Sequence, residues 1–261
     1  MTPTGKERLD ETVVRLDLAP TRSKARAMIM AGDVLVNDLP VLQAGYGVRA
    51  TDMVSLKSKP RFVSRGGEKL DHALEVFGID VTDLVCADFG ASTGGFTDCL
   101  LQRGAKRVYA IDVGYGQLDQ RIRDDERVVV QERVNARYIE SLPEPIDLVV
   151  IDVSFISLSL ILPVAKRVLV EHGRCVPLVK PQFEAGRNDV GKGGVVRDPA
   201  IHRRVLVKSA EVALANGFAV RSVTKSPIVG PAGNVEFLMH LVTGESNAPG
   251  VDELIDKALA E

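Results

Sequence analysis

The stretch that decides the fold runs from residue 84 to residue 104 and reads Leu84-Val-Cys-Ala-Asp88-Phe-Gly90-Ala-Ser-Thr-Gly94-Gly95-Phe-Thr-Asp-Cys-Leu-Leu-Gln-Arg-Gly104. A short apolar run ends at an acid, a glycine-rich turn follows, and the next residues predict a helix that stops at Gly104. This order is typical of the first unit of a doubly wound α/β sheet, in which ligands bind at the carboxyl ends of the strands.

Further apolar runs without polar alternation follow this unit, which indicates strands of a parallel sheet covered on both faces. They are residues 107–111, 147–151 and 175–179. A helix is predicted from Pro199 to Asn216, and two successive strands, 219–226 and 235–241, predict an antiparallel hairpin at one edge of the sheet. A mostly parallel sheet that ends in such a hairpin is the arrangement of many S-adenosylmethionine-dependent methyltransferases, an analogy of fold that needs a site to support it.

The spacing around the glycine turn favours a nucleoside ligand. Asp112 ends the second strand, 22 residues beyond Gly90, where a carboxylate can accept hydrogen bonds from a ribose. Dinucleotide enzymes share a glycine-rich turn, but here Ser92 occupies the position of the second glycine and the strand ends in Asp88. Both departures favour S-adenosylmethionine over NAD, and the turn lacks the Gly-x-x-x-x-Gly-Lys-Ser/Thr pattern of nucleotide hydrolases.

Charged residues end two further strands of the predicted sheet. Asp152 follows the run 147–151 and Lys180 follows the run 175–179. Since the ends of neighbouring parallel strands converge on the ligand crevice, both side chains are expected there. Lys69 and Glu236 join them as candidate catalytic residues; the alternative for Asp152 or Lys180 alone is a structural salt bridge.

The first sixty residues form a different kind of module. Helices are predicted near 6–16 and 21–32, with short strands at 34–36, 41–42 and 53–56 and a turn at Asn37-Asp38. Residues 1–65 carry 11 Lys and Arg against 7 Asp and Glu, whereas the rest of the chain is net acidic. A basic module indicates a polyanionic partner, and the alternative is a solvated face.

Composition excludes several classes. With 261 residues, 45% hydrophobic, 26% charged and a mean hydropathy of +0.07, the chain resembles an ordinary globular protein rather than a disordered or fibrous one. Three cysteines without a close pair favour a reduced, cytoplasmic protein and no metal site. No apolar run is long enough to span a bilayer, and residues 1–7 lack the apolar core of a signal peptide.

The small module resembles a known RNA-binding domain, named after a protein of the small ribosomal subunit. The resemblance lies in Arg8-Leu-Asp10, in Thr21-Arg22-Ser-Lys24-Ala-Arg26 and in residues 31–37, Ala-Gly-Asp-Val-Leu-Val-Asn. It implies that Arg8, Arg22, Lys24 and Arg26 contact structured RNA, largely through phosphates. The alternative is a basic module that binds only the chain's own second domain.

Most of the chain, from residue 6 to about 243, resembles the TlyA family of hemolysin A-like ribosomal RNA methyltransferases. The matching segments are 63–70, 90–97, 112–118, 135–137, 154–157, 179–183 and 193–197, together with the Lys69, Asp152, Lys180 and Glu236 tetrad of FtsJ-like ribose 2'-O-methyltransferases. The resemblance implies a Rossmann-like class I methyltransferase domain over 67–261, a small α+β RNA-binding domain over 1–59 and a basic linker over 60–66. Phe62 departs from the tryptophan expected in that linker.

The resemblance also implies an activity and its site. The expected reaction is transfer of a methyl group from S-adenosylmethionine to a cytidine 2'-hydroxyl in 16S or 23S ribosomal RNA, or in both. Lys180 would act as base, favoured in its neutral form by burial and by nearby Lys69, while Lys69 and Glu236 orient the hydroxyl and Asp152 faces the methyl group. The expected cofactor contacts are Asp88, Gly90, Ala91, Ser92, Gly94, Gly95, Phe96, Asp112 and Asn135.

The linker arginines and the partners complete the prediction. Arg61 and Arg65 are expected to help bind ribosomal RNA within a ribosomal subunit, and no stable protein partner or membrane is implied. Two other functions stay open: a membrane-active hemolysin-like protein, and an RNA-binding protein whose enzyme domain is inactive. A short helix is predicted at 251–259 after a tether at 244–250, and it weakly favours the members that act on both subunits.

Overall fold

The structure, a computed structural model, describes residues 6–57, 60–244 and 250–261, and of Arg187 the backbone alone. The predicted tether falls mostly outside the described residues. The chain divides into two compact units, one up to Pro60 and one from Arg61 onward. The basic segment 61–65 therefore belongs to the larger unit, next to a helix that begins at Gly66.

The small unit packs two helices against short strands. Its elements are β1 (Glu7–Arg8), α1 (Leu9–Arg15), α2 (Arg22–Met30), β2 (Val34–Val36), β3 (Leu39–Pro40), β4 (Gly47–Val48) and β5 (Val54–Leu56). The strands pair in the orders β3-β2-β5 and β1-β4, all antiparallel. Leu9, Val13, Ala25 and Ile29 are buried between the helices and the sheet. Thr21 caps α2 by accepting a hydrogen bond from the Lys24 backbone N–H, as its side chain predicts.

One predicted strand of this unit is wrong in position. The strand expected at 41–42 lies instead at Leu39–Pro40, directly after the turn. Asn37 and Asp38 both have positive φ, 51° and 64°, which is the backbone of a tight two-residue hairpin turn. Such a turn leaves no spare residues, so Leu39 pairs at once with Val36.

The large unit is built on one seven-stranded sheet. Its elements are α3 (Gly66–Val76), β6 (Val85–Phe89), α4 (Gly95–Gln102), β7 (Arg107–Asp112), α5 (Gln120–Arg123), β8 (Val128–Glu132), β9 (Ile146–Ile151), α6 (Leu162–Val168), β10 (Leu169–Val179), α7 (Pro181–Glu184), α8 (Pro199–Ala215), β11 (Phe218–Lys225), β12 (Phe237–Thr243) and α9 (Val251–Ala260). The strand order is β11-β12-β10-β9-β6-β7-β8.

The sheet confirms the predicted fold class. Strands β8, β7, β6, β9 and β10 are parallel, whereas β12 runs antiparallel to both β10 and β11. Every residue of β6 is buried, because Val85, Ala87 and Phe89 face one apolar cluster and Cys86 faces the other. The chain order reverses at β6, and the crevice beside its carboxyl end is the usual ligand site of such a sheet.

Candidate active site

A cavity of about 820 Å³ opens at the carboxyl ends of the parallel strands. Its walls include Gly90 after β6, Asp112 at the end of β7, Asn135 after β8 and Asp152 after β9. The volume lies within the range of small-molecule and cofactor sites. Strand topology alone therefore brings together four of the predicted residues that are far apart in sequence.

Gly90 sets how closely the glycine turn approaches β9. It adopts a φ of +89°, and a Cβ at this position would lie 2.8 Å from the backbone oxygen of Asp152. The Asp152 backbone N–H donates to the Phe89 carbonyl at 2.9 Å. A side chain at position 90 would separate the two strand ends, so glycine is required by both the backbone and the packing.

Asp112 holds the turn and keeps acceptor capacity toward the cavity. One carboxylate oxygen accepts the Ser92 backbone N–H at 2.8 Å, and the other accepts the Gly114 backbone N–H at 2.7 Å. Because each carboxylate oxygen can accept more than one hydrogen bond, both can still accept from ribose hydroxyls. Asn135, on the same wall, uses its side-chain oxygen to cap the Arg137 backbone N–H at 3.0 Å.

A second, smaller cavity of about 300 Å³ adjoins the first. The two share Gly90, Ser92 and Asp152, and the smaller one is lined in addition by Ala91, Gly95, Phe96, Arg65 and Lys69. Asp152 therefore stands where the cavities meet. This division places Ala91, Gly95 and Phe96 on the smaller cavity, whereas Asp112 and Asn135 face the larger one.

The four charged residues of the predicted tetrad form two ion pairs. Lys69 Nζ lies 2.5 Å from Glu236 Oε2, and Lys180 Nζ lies 2.6 Å from Asp152 Oδ1. Lys180 also donates to Ser154 Oγ at 2.9 Å. Lys69, Lys180 and Glu236 are buried. The Glu236 carboxylate has room because residue 230 is a glycine, at which a Cβ would lie only 2.6 Å from Glu236 Oε1. Buried charges in such pairs compensate one another.

This pairing changes the predicted relation between the two lysines. The expectation is that the positive charge of Lys69 favours the neutral form of Lys180. In the structure Lys69 is neutralised by Glu236 and Lys180 contacts a carboxylate, so each lysine has an opposite charge as its nearest partner. The four groups together are electrically balanced.

Two predicted cofactor contacts lie behind the cavities rather than on their walls. Asp88 is fully buried, and its Oδ2 accepts from Thr97 Oγ1 at 2.7 Å. Burial raises the pKa of Asp88 to about 7, and the carboxylates of Asp152 and Asp112 act in the same direction. Gly94 has a φ of +96° and packs against Leu118 and Ile122, so it shapes the start of α4.

Sequence reasoning missed a buried acid that fastens the Asp152 loop. Glu184 lies in α7, four residues after Lys180, and accepts the Leu158 backbone N–H at 2.7 Å and Ser157 Oγ at 2.8 Å. Ser157 lines the larger cavity. Glu184 therefore joins the segment that carries Lys180 to the loop that carries Asp152. The available signal was an acid four residues after Lys180, in the segment Lys180-Pro-Gln-Phe-Glu184.

A second missed residue is Asn234, which is buried two positions before Glu236. Its oxygen accepts the Val196 backbone N–H at 2.9 Å, and its amide donates to the Gly194 carbonyl at 2.9 Å. The glycine-rich segment 193–197 is thereby fixed to the turn that precedes Glu236.

The basic segment 61–65 is held by the large unit. Arg61 pairs with Asp71, and its guanidinium lies 4.7 Å from the centre of the Phe62 ring. Phe62 is buried against Gly67, where a Cβ would clash with the ring. Arg65 donates to the Val229 carbonyl at 3.2 Å and lines the smaller cavity beside Lys69.

The predicted RNA-binding arginines of the small unit meet at one acid. Arg8, Arg22 and Arg26 each donate through Nε to the buried carboxylate of Asp10, whereas Lys24 is exposed. The side chains of these arginines remain about half exposed. Sequence reasoning includes Asp10 in the matching stretch Arg8-Leu-Asp10 and gives it no role.

The described residues contain neither a metal-binding cluster nor a helix that could span a membrane. Within 6–57, 60–244 and 250–261 no group of three or more metal-ligating side chains is present. None of the helices in these ranges is both long and apolar enough to cross a membrane.

The large unit has the features of a class I methyltransferase. They are the glycine turn after β6, the acid at the end of β7, and the paired acid and lysine that follow β9 and β10. A model of the FtsJ-like methyltransferase family matches residues 62–243, and one of the S4 domain matches residues 7–54. The chain belongs to the FtsJ-like methyltransferases and, among these, to the TlyA family.

Three relatives support this assignment. The 16S/23S rRNA (cytidine-2'-O)-methyltransferase TlyA of Mycobacterium tuberculosis is 43% identical over 98% of both chains. Hemolysin A of Brachyspira hyodysenteriae is 44% identical over 90% of this chain and 99% of its own. A solved structure from Streptococcus thermophilus, described as a candidate hemolysin, is 44% identical, covers 98% of this chain and 97% of its own, and superposes with a TM-score of 0.75.

Proposed function

We propose that this protein transfers a methyl group from S-adenosylmethionine to the 2'-hydroxyl of a cytidine in ribosomal RNA. The observation that carries the proposal is the Asp152–Lys180 pair, in which Asp152 lines both cavities and Lys180 is buried beside it. The M. tuberculosis relative is a 16S/23S rRNA (cytidine-2'-O)-methyltransferase by name, which suggests the substrate, and the small RNA-binding domain suits such a substrate. Lys180 is the proposed base, as the sequence predicts.

The larger cavity suits S-adenosylmethionine by size and by the chemistry of its walls. Asp112 offers free acceptor capacity for ribose hydroxyls, and Asn135 lies on the wall proposed for the adenine. Asp152 brings a carboxylate to the other end, where a positive charge is stabilised. When bound, S-adenosylmethionine supplies a methyl group on a positively charged sulfur.

Lys180 can take the proton of the ribose hydroxyl without leaving its partners. A neutral amine has two N–H donors and one lone pair. Nζ donates to Ser154 Oγ at 2.9 Å and lies 2.6 Å from Asp152 Oδ1 as an ion-pair contact, so a neutral amine can keep one donor on Ser154 while its lone pair accepts the hydroxyl proton. These two contacts fix the direction of the lone pair, and such orientation is a large part of catalysis by a positioned base.

Lys69 and Glu236 act on the hydroxyl from the smaller cavity. Lys69 lines this cavity, and Glu236 neutralises and orients it from behind. An ammonium held in place can donate to the ribose oxygen as negative charge develops there, which lowers the barrier more than a mobile lysine would.

The test is methyl transfer from tritiated S-adenosylmethionine to purified ribosomal subunits that lack ribose methylation. The label is then mapped by reverse-transcription stops at low nucleotide concentration. Label at a cytidine 2'-oxygen that disappears with Lys180→Ala supports the proposal and identifies the subunit. Measurable cofactor binding without label on either subunit contradicts it.

The hemolysin name of two relatives calls for a parallel measurement. The same preparation is incubated with erythrocytes, and haemoglobin release is recorded. We expect no release above buffer at concentrations that saturate methyl transfer. Release that persists in Lys180→Ala would favour a membrane-active protein instead.

A further inference from the structure

The small unit contains a buried carboxylate surrounded by three arginines. Asp10, the second residue of α1, has no exposed side-chain surface. Its Oδ1 accepts from Arg8 Nε at 3.0 Å, and its Oδ2 accepts from Arg22 Nε at 2.9 Å and Arg26 Nε at 2.8 Å. Arg22 and Arg26 are one turn apart on α2, so both reach the same acid.

The nitrogen that each arginine uses leaves much of the guanidinium available. All three bind Asp10 through Nε, the inner nitrogen, and their side chains are 45%, 44% and 51% exposed. Arg8 adds a longer hydrogen bond from Nη2 to Asp10 Oδ2 at 3.3 Å. Arg22 also contacts Glu11 at 2.9 Å through Nη1. The outer nitrogens form the planar, charged donor groups that match phosphate oxygens.

The charges of the cluster do not cancel. Three guanidinium groups meet one carboxylate, and Glu11 removes only one more positive charge at the rim. Burial would raise the pKa of Asp10, but hydrogen bonds from Arg8, Arg26 and Arg22 outweigh it and hold the pKa well below its usual range. Asp10 is therefore ionised at neutral pH, and the surface above it stays net positive.

A glycine keeps room for one of the arginines. A Cβ at Gly45 would stand 2.9 Å from Arg8 Nη1 and 3.3 Å from Nη2. The Asp10 backbone N–H donates to the neighbouring Ala44 carbonyl at 3.0 Å. The same loop thus fixes the acid and leaves space for the guanidinium.

We infer that Asp10 is a positioning residue that presents Arg8, Arg22 and Arg26 as one preformed site for adjacent RNA phosphates. The inference rests on the proposed function, since it concerns how the same protein grips its RNA. A free arginine loses rotamer freedom when it binds, whereas an arginine already fixed by Asp10 loses less. The alternative is a structural ion pair that lowers the positive charge of this surface and does not position the arginines for RNA.

The two explanations predict opposite signs for Asp10→Asn. If Asp10 only lowers the positive charge of the surface, its removal strengthens RNA binding and steepens the dependence on salt. If Asp10 positions the arginines, its removal weakens binding, by about tenfold for three loosened side chains, although the net charge becomes more favourable.

The experiment measures binding of the full chain to purified small and large ribosomal subunits lacking ribose methylation, over a series of salt concentrations. Glu7→Gln is the matched control, because Glu7 is an acid close to α1 whose carboxylate accepts hydrogen bonds from Arg15 and Thr12 and not from the three arginines around Asp10. Methyl transfer at saturating subunits and S-adenosylmethionine affinity are measured in parallel.

We expect Asp10→Asn to bind about tenfold more weakly with a shallower salt dependence, with cofactor affinity unchanged and Glu7→Gln equal to or slightly tighter than wild type. Equal or tighter binding by Asp10→Asn overturns the inference. Thermal melting shows whether Asp10→Asn folds. If it does not fold, Gly45→Ala is the deciding variant, since it displaces the Arg8 guanidinium and leaves Asp10 in place. Unweakened RNA binding by Gly45→Ala also overturns the inference. Absence of wild-type binding and transfer on both subunits would instead overturn the proposed function.

Discussion

Lys180 Nζ lies 2.6 Å from Asp152 Oδ1, so the residues that directly follow the neighbouring strands β10 and β9 form one ion pair, and its acid lines both cavities. Asp152 also contributes its backbone oxygen, 3.5 Å from the same nitrogen, and Ser154 adds a hydroxyl. The amine is thus held by one short loop. A substitution in that loop is therefore expected to change the position of the Lys180 amine.

Replacing Lys180 by Met keeps most of the buried volume and removes the amine. We expect methyl transfer to fall by at least a hundredfold, about the contribution of a positioned base, while S-adenosylmethionine affinity changes by less than about threefold, because Lys180 does not line the larger cavity. Single-turnover transfer and calorimetric binding measure the two effects. A parallel loss of binding would assign Lys180 a structural role.

The Lys69–Glu236 pair is expected to behave as one unit. Removing either partner alone leaves a buried charge without compensation, at a cost of about 3–5 kcal/mol in the free energy of unfolding. Lys69→Met combined with Glu236→Gln should be more stable than either single variant, yet no more active. The wild type, the two single variants and the double variant form a double-mutant cycle, measured by urea denaturation and by initial rates. Additive losses in the free energy of unfolding would show that the two side chains do not depend on each other.

Glu184 offers a test of the loop that carries Asp152. In Glu184→Gln the amide oxygen can accept the Leu158 N–H and the amide NH2 can donate to Ser157 Oγ, so we expect transfer close to wild type. Glu184→Ala removes both contacts and should lower kcat by about tenfold to a hundredfold through misplacement of the loop. Equal activity of the two variants would exclude this role, and melting temperatures control for unfolding.

Asp88 predicts a pH dependence of stability. Its pKa is raised by burial from an ordinary 3.8 to about 7. Between these pH values the folded protein keeps a proton that the unfolded chain has lost. The free energy of unfolding therefore falls as pH rises from about 4 to about 7 and is constant at higher pH. Asp88→Asn should remove this slope and gain on the order of a few kcal/mol at neutral pH. Denaturation of both proteins across this range measures the difference; parallel curves would contradict the assignment.

Asp112 tests the orientation of the cofactor. Asp112→Ala removes the acceptors of the Ser92 and Gly114 N–H groups together with the proposed ribose contact. We expect S-adenosylmethionine affinity to fall by about tenfold or more, with little effect on binding to ribosomal subunits. The matched control is Asp119→Ala, which removes a half-buried acid that caps the N-terminus of α5. Equal effects of the two variants would place the ribose elsewhere.

Local sequence predicted much of the architecture because its signals act over a few residues. The glycine turn, the buried strands and the closing hairpin are all present, with boundaries shifted by a few residues. The strand at Val128–Glu132 was not among the runs identified, since each of its residues is only half-buried at the sheet edge. The strand expected at 41–42 was misplaced because a two-residue turn fixes the register more strongly than hydrophobicity does.

The sequence by itself determined the fold class, the family and which charged residues end the strands, because these depend on residue type, order and spacing. Only the tertiary structure decided the pairing: Lys69 with Glu236, Lys180 with Asp152, and three arginines with Asp10. Lys69 and Glu236 are separated by 167 positions in the sequence, and the other partners by fewer. Which charges neutralise each other in a buried site depends on distances of a few ångströms, and these distances arise only when the strands and helices pack.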